Sequence, residues 1–215
     1  MGTIDLRLAA NLRDQVGLQR AIETGTYRGG TARALASVFG SVITIELSRP
    51  LHERAATRLR DLPQVKAMHG HSSEVLHDVV RSDIPTLYFL DGHWSGGNTE
   101  GADDECPLLD ELAAIGFGHR DDCLVIDDAR LFTSAPPPPH DPTHWPTIVE
   151  VFDAIRSQRP DHVVTLLSDQ VIAVPQRAKP AVDAYGARLQ GQATGLGGRV
   201  IRVLADTPRR ISRAG

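Results

Sequence analysis

The 215-residue sequence has little cysteine, no surplus of basic charge and no long apolar run. Its two cysteines, Cys106 and Cys123, allow one disulfide at most. Without an export signal they read as reduced, mostly buried thiols with no chemistry of their own. Twenty-three Lys and Arg against 27 Asp and Glu leave a net charge of −4, so the chain lacks the basic field that draws a protein to nucleic acid or anionic lipid. No window approaches the roughly eighteen uninterrupted apolar residues of a membrane span. Asp5, Arg7, Arg13 and Asp14 break up the N-terminus where a signal peptide would have its apolar centre. Two phosphate-binding patterns are also missing: Gly-x-Gly-x-x-Gly and Gly-Lys-Ser/Thr. These absences leave a cytoplasmic enzyme or binding protein that takes a small-molecule partner, with a homodimer as an option and neither nucleic acid nor membrane expected.

What is present is an alternation of short apolar runs and amphipathic stretches. Leu6, Leu8, Leu12 and Val16 recur at helical spacing within Asp5–Val16. Strands are then expected at Leu18–Ile22, Val42–Ile45, Val65–Met68, Thr86–Leu90 and Cys123–Ile126. Helices are expected between and after them, at Thr31–Phe39, Leu51–Leu62, Ser73–Val80, Pro107–Ile115 and Thr147–Gln158. Such alternation predicts an α/β fold: a Rossmann-like, doubly wound sheet with helices on both faces. His162–Leu167 and Val171–Pro175 are separated by three residues, too few for a parallel crossover, so they pair as an antiparallel hairpin. The sheet thus has seven strands, six parallel and one antiparallel. One domain over residues 1–215 is the expected organisation: an N-terminal helix at 1–17, a core at 18–175 and a C-terminal extension at 176–215. The segment "RVIRVL" in that extension is a candidate edge strand, and its arginines read as a solvated terminus.

Ligands of such sheets bind outside the carboxyl ends of the strands. After the first strand, "AIETGTYRGGTARALA" sets Gly25, Gly29 and Gly30 in a tight turn before a helix N-terminus, where the backbone can approach a polar ligand closely. Glu46 ends the second strand about twenty residues further on, where an acid can accept both hydroxyls of a ribose. Together these features suggest a nucleoside-containing cofactor. "GHSS" brings His71 and Ser72 to the next strand end. The fourth strand, "IPTLYFLDGHWSGGN", ends in Asp91, and the fifth, "CLVIDDAR", in Asp127 and Asp128. Three carboxylates at adjacent strand ends suit a hard divalent cation such as Mg²⁺.

With those motifs in place, the sequence resembles the class I S-adenosylmethionine-dependent methyltransferases over about Ala21–Pro175. The match rests on "ETGTYRGG", "TIEL", "GHSS" and the closing antiparallel strand. The resemblance implies that Glu23, Gly25, Thr26, Tyr27 and Gly29 surround the methionine part of the cofactor. It further implies that Glu46 and Leu47 meet the ribose, that His71 and Ser72 border the adenine, and that Asp91 faces the cofactor as well. The acidic cluster is similar to that of metal-dependent small-molecule O-methyltransferases of catechol and macrolide-sugar type. That implies Asp91, Asp127 and Asp128 as ligands of Mg²⁺ and a sugar, phenol or natural-product hydroxyl as acceptor. The catechol-type enzymes place a lysine base shortly after the first Asp; Trp94 and Ser95 stand there instead. His93 is the substitute base, with Asp91 as its rival. Two long connections, Gly92–Asp104 and the proline-rich Arg130–Pro146, are expected as lids over this edge, and Glu105 is near enough in sequence to reach it. A metal-dependent hydrolase using the Asp/His cluster, or a catalytically silent nucleoside-binding module, remains the alternative.

Overall fold

The computed structural model describes residues 4–94, 96 and 100–205, with side chains described as far as residue 192. Helix α1 (Leu6–Val16) starts where the Asp5 carboxylate accepts from the backbone N–H groups of Arg7 and Leu8, and it stops at Gly17, whose φ of 76° only glycine adopts readily. Strand β1 (Arg20–Thr24) follows, then α2 (Gly30–Leu35), β2 (Val42–Glu46), α3 (Arg49–Leu59), β3 (Val65–His69), α4 (Ser72–Val79) and β4 (Thr86–Leu90). Next come α5 (Leu108–Ile115), β5 (Cys123–Ile126), the short α6 (Arg130–Thr133), α7 (Ile148–Gln158), β6 (His162–Leu167), β7 (Gln170–Pro175) and α8 (Lys179–Ala205).

The seven strands lie in the order β3-β2-β1-β4-β5-β7-β6. Strands β3, β2, β1, β4 and β5 pair in parallel, whereas β7 runs antiparallel to both β5 and β6. Six strands therefore share one direction and β7 opposes them, as the three-residue spacing before Val171 required. Alternate residues of β4 feed two cores. Leu87 and Phe89 pack with α1, α2 and α8 residues such as Leu12, Leu35 and Val182, while Tyr88 and Leu90 pack with Leu76 of α4, Leu112 of α5 and Ile155 of α7. Both sheet faces are thus covered, and the central strands are apolar throughout because neither side meets water.

Three expectations change. β1 begins at Arg20 and runs through Glu23 and Thr24, so Glu23 belongs to the strand rather than to the turn after it. α2 ends at Leu35, before Phe39. "RVIRVL" lies within α8 and is helical. No proline falls between Pro180 and Pro208, and the glycines between them weaken a helix by about 1 kcal/mol each without ending it. Cys106 and Cys123 are free and buried, as expected. No helix among the described residues is long and apolar enough to cross a membrane.

Candidate active site

The chain order reverses between β1 and β4, and the crevice opens at their carboxyl ends. Thr24 of β1 registers with Leu90 of β4, which brings Gly25 against Asp91. Gly25 has φ 80°, and a Cβ there would stand 2.1 Å from the Asp91 carbonyl oxygen, so only glycine allows the two chain segments to touch. Gly92 is crowded by side chains instead: its added Cβ would meet Glu111 Oε1 at 2.6 Å and Thr24 Oγ1 at 3.1 Å. Two strand ends can therefore crowd together beneath a ligand.

The cleft above them has a volume of about 690 Å³. One end is walled by Gly25, Tyr27, Glu46, Leu47, His71 and Ser72. Glu46, 8% exposed, accepts from Tyr27 N at 2.7 Å and from Ser48 N at 2.9 Å. These bonds hold its carboxylate at the strand end and hold Tyr27 in its left-handed conformation, φ 46°. His71 caps the start of α4; its Nδ1 lies 2.9 Å from Ser73 Oγ and its Nε2 3.4 Å from Asp104 Oδ2.

Glu23, Thr26 and Gly29 lie behind this wall rather than in it, all buried. Thr44 Oγ1 donates to Glu23 Oε2 at 2.6 Å and lies 2.6 Å from Thr26 Oγ1. Burial, above all, pushes the Glu23 carboxyl up to about 8 against the help of Thr44, so it is mostly protonated at neutral pH. The residues expected around the cofactor thus divide into a set that lines the cleft and a buried set behind it.

At the other end of the cleft Asp91, His93 and Asp128 converge, their potential ligand atoms all within 4.8 Å of one another. His93 Nε2 is 2.9 Å from Asp128 Oδ2 and 3.3 Å from Asp91 Oδ1. It lies off the hydrogen-bond axis of either oxygen, so these are ion-pair contacts rather than well-formed hydrogen bonds. Burial alone would favour a neutral ring, but Asp128 and Asp91 outweigh it and raise the imidazole to about 10. Asp128 is held down at about 2, first by His93 and then, against burial, by Arg130. Asp91 is raised by burial in spite of His93. The two carboxylates thus favour the protonated ring, which works against its acting as a general base.

Asp127, the third expected acid, stands apart from this trio. Its Oδ1 accepts from Gln170 Nε2 at 3.1 Å, and its buried Oδ2 has no hydrogen-bond partner among the described residues. Burial, then the charge of Asp91, pushes it up to about 6. The donors gathered at this end are two carboxylates and one imidazole. That set fits a small divalent cation and, because of the nitrogen, suits Mn²⁺, Fe²⁺ or Zn²⁺ at least as well as Mg²⁺.

Both expected lids border the cleft through described residues: Trp94 from the first, and Arg130, Leu131, Ser134, Ala135, Pro137 and His140 from the second. Ser95 and Gly97–Thr99 lie outside the described residues. Two further residues tie this end of the cleft to its surroundings. Arg130 Nη1 pairs with both Asp128 and Asp169, which ties the β5 end to the β6–β7 hairpin. Glu105 is fully buried against the second lid. The sequence signal for Glu105 was only its place at the end of a loop; its partners lie some 35 to 40 residues away in sequence.

The strand order, the antiparallel β7 and the crevice at the β1/β4 switch define the class I S-adenosylmethionine-dependent methyltransferase fold. Solved structures of that fold superpose on most of the chain. A candidate caffeoyl-CoA O-methyltransferase from Staphylococcus aureus matches with a TM-score of 0.58 at 15% identity, covering 81% of this chain and 85% of the other. The S-adenosylhomocysteine-bound methyltransferase PaMTH1 of Podospora anserina gives 0.54 at 17% identity, with 81% and 79% covered. An O-methyltransferase from Bacillus cereus, also in complex with S-adenosylhomocysteine, gives 0.54 at 17% identity, with 82% and 83% covered. No protein-family model matches the sequence, and no curated protein matches it.

Proposed function

We propose that this protein is an S-adenosylmethionine-dependent O-methyltransferase that acts on a small-molecule hydroxyl with the help of a divalent cation. The observation that carries the reading is that one cleft joins Glu46 at a nucleoside-sized end to the Asp91–His93–Asp128 cluster at the other. When bound, the sulfonium supplies an electrophilic methyl and the cation supplies the Lewis acidity that makes a hydroxyl easier to deprotonate.

The chain's own residues do the rest. Glu46 keeps unused lone pairs on both carboxylate oxygens and accepts the ribose hydroxyls with them. Gly25 and Gly92 leave room for the methionine part where side chains would collide with the floor. Leu47, His71 and Ser72 wall the adenine side. Asp91, His93 and Asp128 hold the cation, and Asp127 backs them from beneath. Proton removal from the acceptor falls to Asp91, whose carboxylate keeps a second oxygen when one holds the cation, whereas His93 faces the cluster with Nε2 alone. Trp94 and His140 close over the acceptor and keep water out.

The test is methyl transfer from S-adenosylmethionine to a panel of catechols, sugars and other hydroxyl compounds, with and without a chelator. Turnover with at least one class is expected, falling at least tenfold on chelation and restored by Mn²⁺ or Mg²⁺. Asp128→Ala should lose at least a hundredfold in kcat/KM, the scale of about 3 kcal/mol of lost transition-state stabilisation. Chelator-insensitive turnover, or an Asp128→Ala variant as active as the parent, contradicts the cation's role.

A further inference from the structure

Glu105 precedes α5 and holds both lids at once. Its carbonyl oxygen accepts from Trp94 N at 2.7 Å, on the first lid. Its carboxylate accepts from Trp145 Nε1 at 2.8 Å, Asp141 N at 3.0 Å and His140 Nδ1 at 3.0 Å, all on the second. These contacts matter because the stretch Pro137–Pro139 is exposed between Phe132 and Trp145, which are buried in the apolar cluster, and Glu105 fixes His140 and Asp141 at its far end. The clasped groups then stack in sequence toward the chemistry. Trp94 meets the edge of His140 at 5.4 Å between ring centroids, His140 meets Trp145 at 5.2 Å, and Trp145 lies 5.3 Å from His93.

We infer that Glu105 is a positioning residue that clasps the proline-rich lid to Trp94, shaping the acceptor pocket and steadying His93 through Trp145. Its consequence for substrate rests on the methyltransferase reading. The clasp itself does not. Glu105 touches neither the nucleoside end of the cleft nor Glu46, so its loss should weaken acceptor binding while leaving the cofactor end intact.

The two tryptophans of the chain are Trp94 and Trp145, so emission under tryptophan-selective excitation reports on the clasp. In the full chain, Glu105→Ala should shift tryptophan emission to the red and leave S-adenosylmethionine affinity within about twofold of the parent. With the panel compound of highest turnover, its KM should rise about tenfold or more, with a smaller change in kcat. Glu105→Gln keeps an oxygen for the indole N–H and should restore the emission and recover part of the KM; Glu105→Met, which fills similar space without an acceptor, stands in for the alanine variant if that variant does not fold. Unchanged emission in the alanine or methionine variant overturns the clasp. A parental acceptor KM, or a KM rise matched by an equal loss of cofactor affinity, overturns the positioning role. If the parent binds no S-adenosylmethionine, the methyltransferase reading fails, and the emission change still decides whether Glu105 clasps the lid.

Discussion

Glu23 shows how far a buried site can bend a residue's chemistry. Its carboxyl sits beneath the glycine turn at about 8 instead of 4.5, so across that window the folded chain keeps a proton that the unfolded chain has lost. Stability must therefore fall as pH rises from about 4.5 to 8, by on the order of a few kcal/mol from this group. Glu23→Gln keeps an acceptor for Thr44 and removes the titration. Urea midpoints measured from pH 5 to 8 should decline less steeply in the variant than in the parent; parallel declines would show that Glu23 ionises normally. At this scale legibility was uneven. Glu46 could be read from its distance to the glycine turn, and Asp91 from its place at a strand end. The pairing of His93 with Asp128 could not, because only the β4–β5 pairing brings the two within 2.9 Å. Nor could the sequence show that Asp127 lies outside the trio of groups within 4.8 Å of one another, with one carboxylate oxygen held by Gln170 of β7.

At the scale of elements, the glycine turn between β1 and α2 is a test of how tightly the cleft floor is built. Gly25→Ala forces a left-handed alanine whose Cβ overlaps the Asp91 carbonyl, so the variant should lose about 2 kcal/mol or more in urea denaturation and bind S-adenosylmethionine more weakly. Gly30, five residues on at the start of α2, has nothing within 4 Å of an added Cβ. Gly30→Ala should stay within about 0.5 kcal/mol of the parent. Equal tolerance at both positions would contradict the close approach of β1 and β4. Most elements were legible because burial on both sheet faces makes strands into continuous apolar runs, and because Val171 follows Leu167 too soon for a crossover. The helical state of the C-terminal segment was not, since its apolar residues fit an edge strand as well as a helix. Nor were α6 and the clasped lid, whose partners are remote in sequence and whose prolines carry no periodicity.

Over the whole molecule, the strand order β3-β2-β1-β4-β5-β7-β6 puts every polar strand end named from the sequence on one edge of the sheet. The left half, from β3 to β1, delivers His71, Glu46 and Gly25; the right half, β4 and β5, delivers Asp91, Asp127 and Asp128. The opening of the cleft at their junction joins the Glu46 end to the Asp91–His93–Asp128 end. That junction is what separates a methyltransferase from the two alternatives, a hydrolase needing only the right half and a silent nucleoside-binding module needing only the left. The most direct test is calorimetric titration of the full chain with S-adenosylmethionine, in parallel with Glu46→Ala. The account predicts saturable binding of one ligand per chain with a Kd on the order of 10 μM or tighter, weakened at least tenfold in the variant, which corresponds to about 1.4 kcal/mol. No saturable binding by the parent chain, or equal binding by Glu46→Ala, would contradict it.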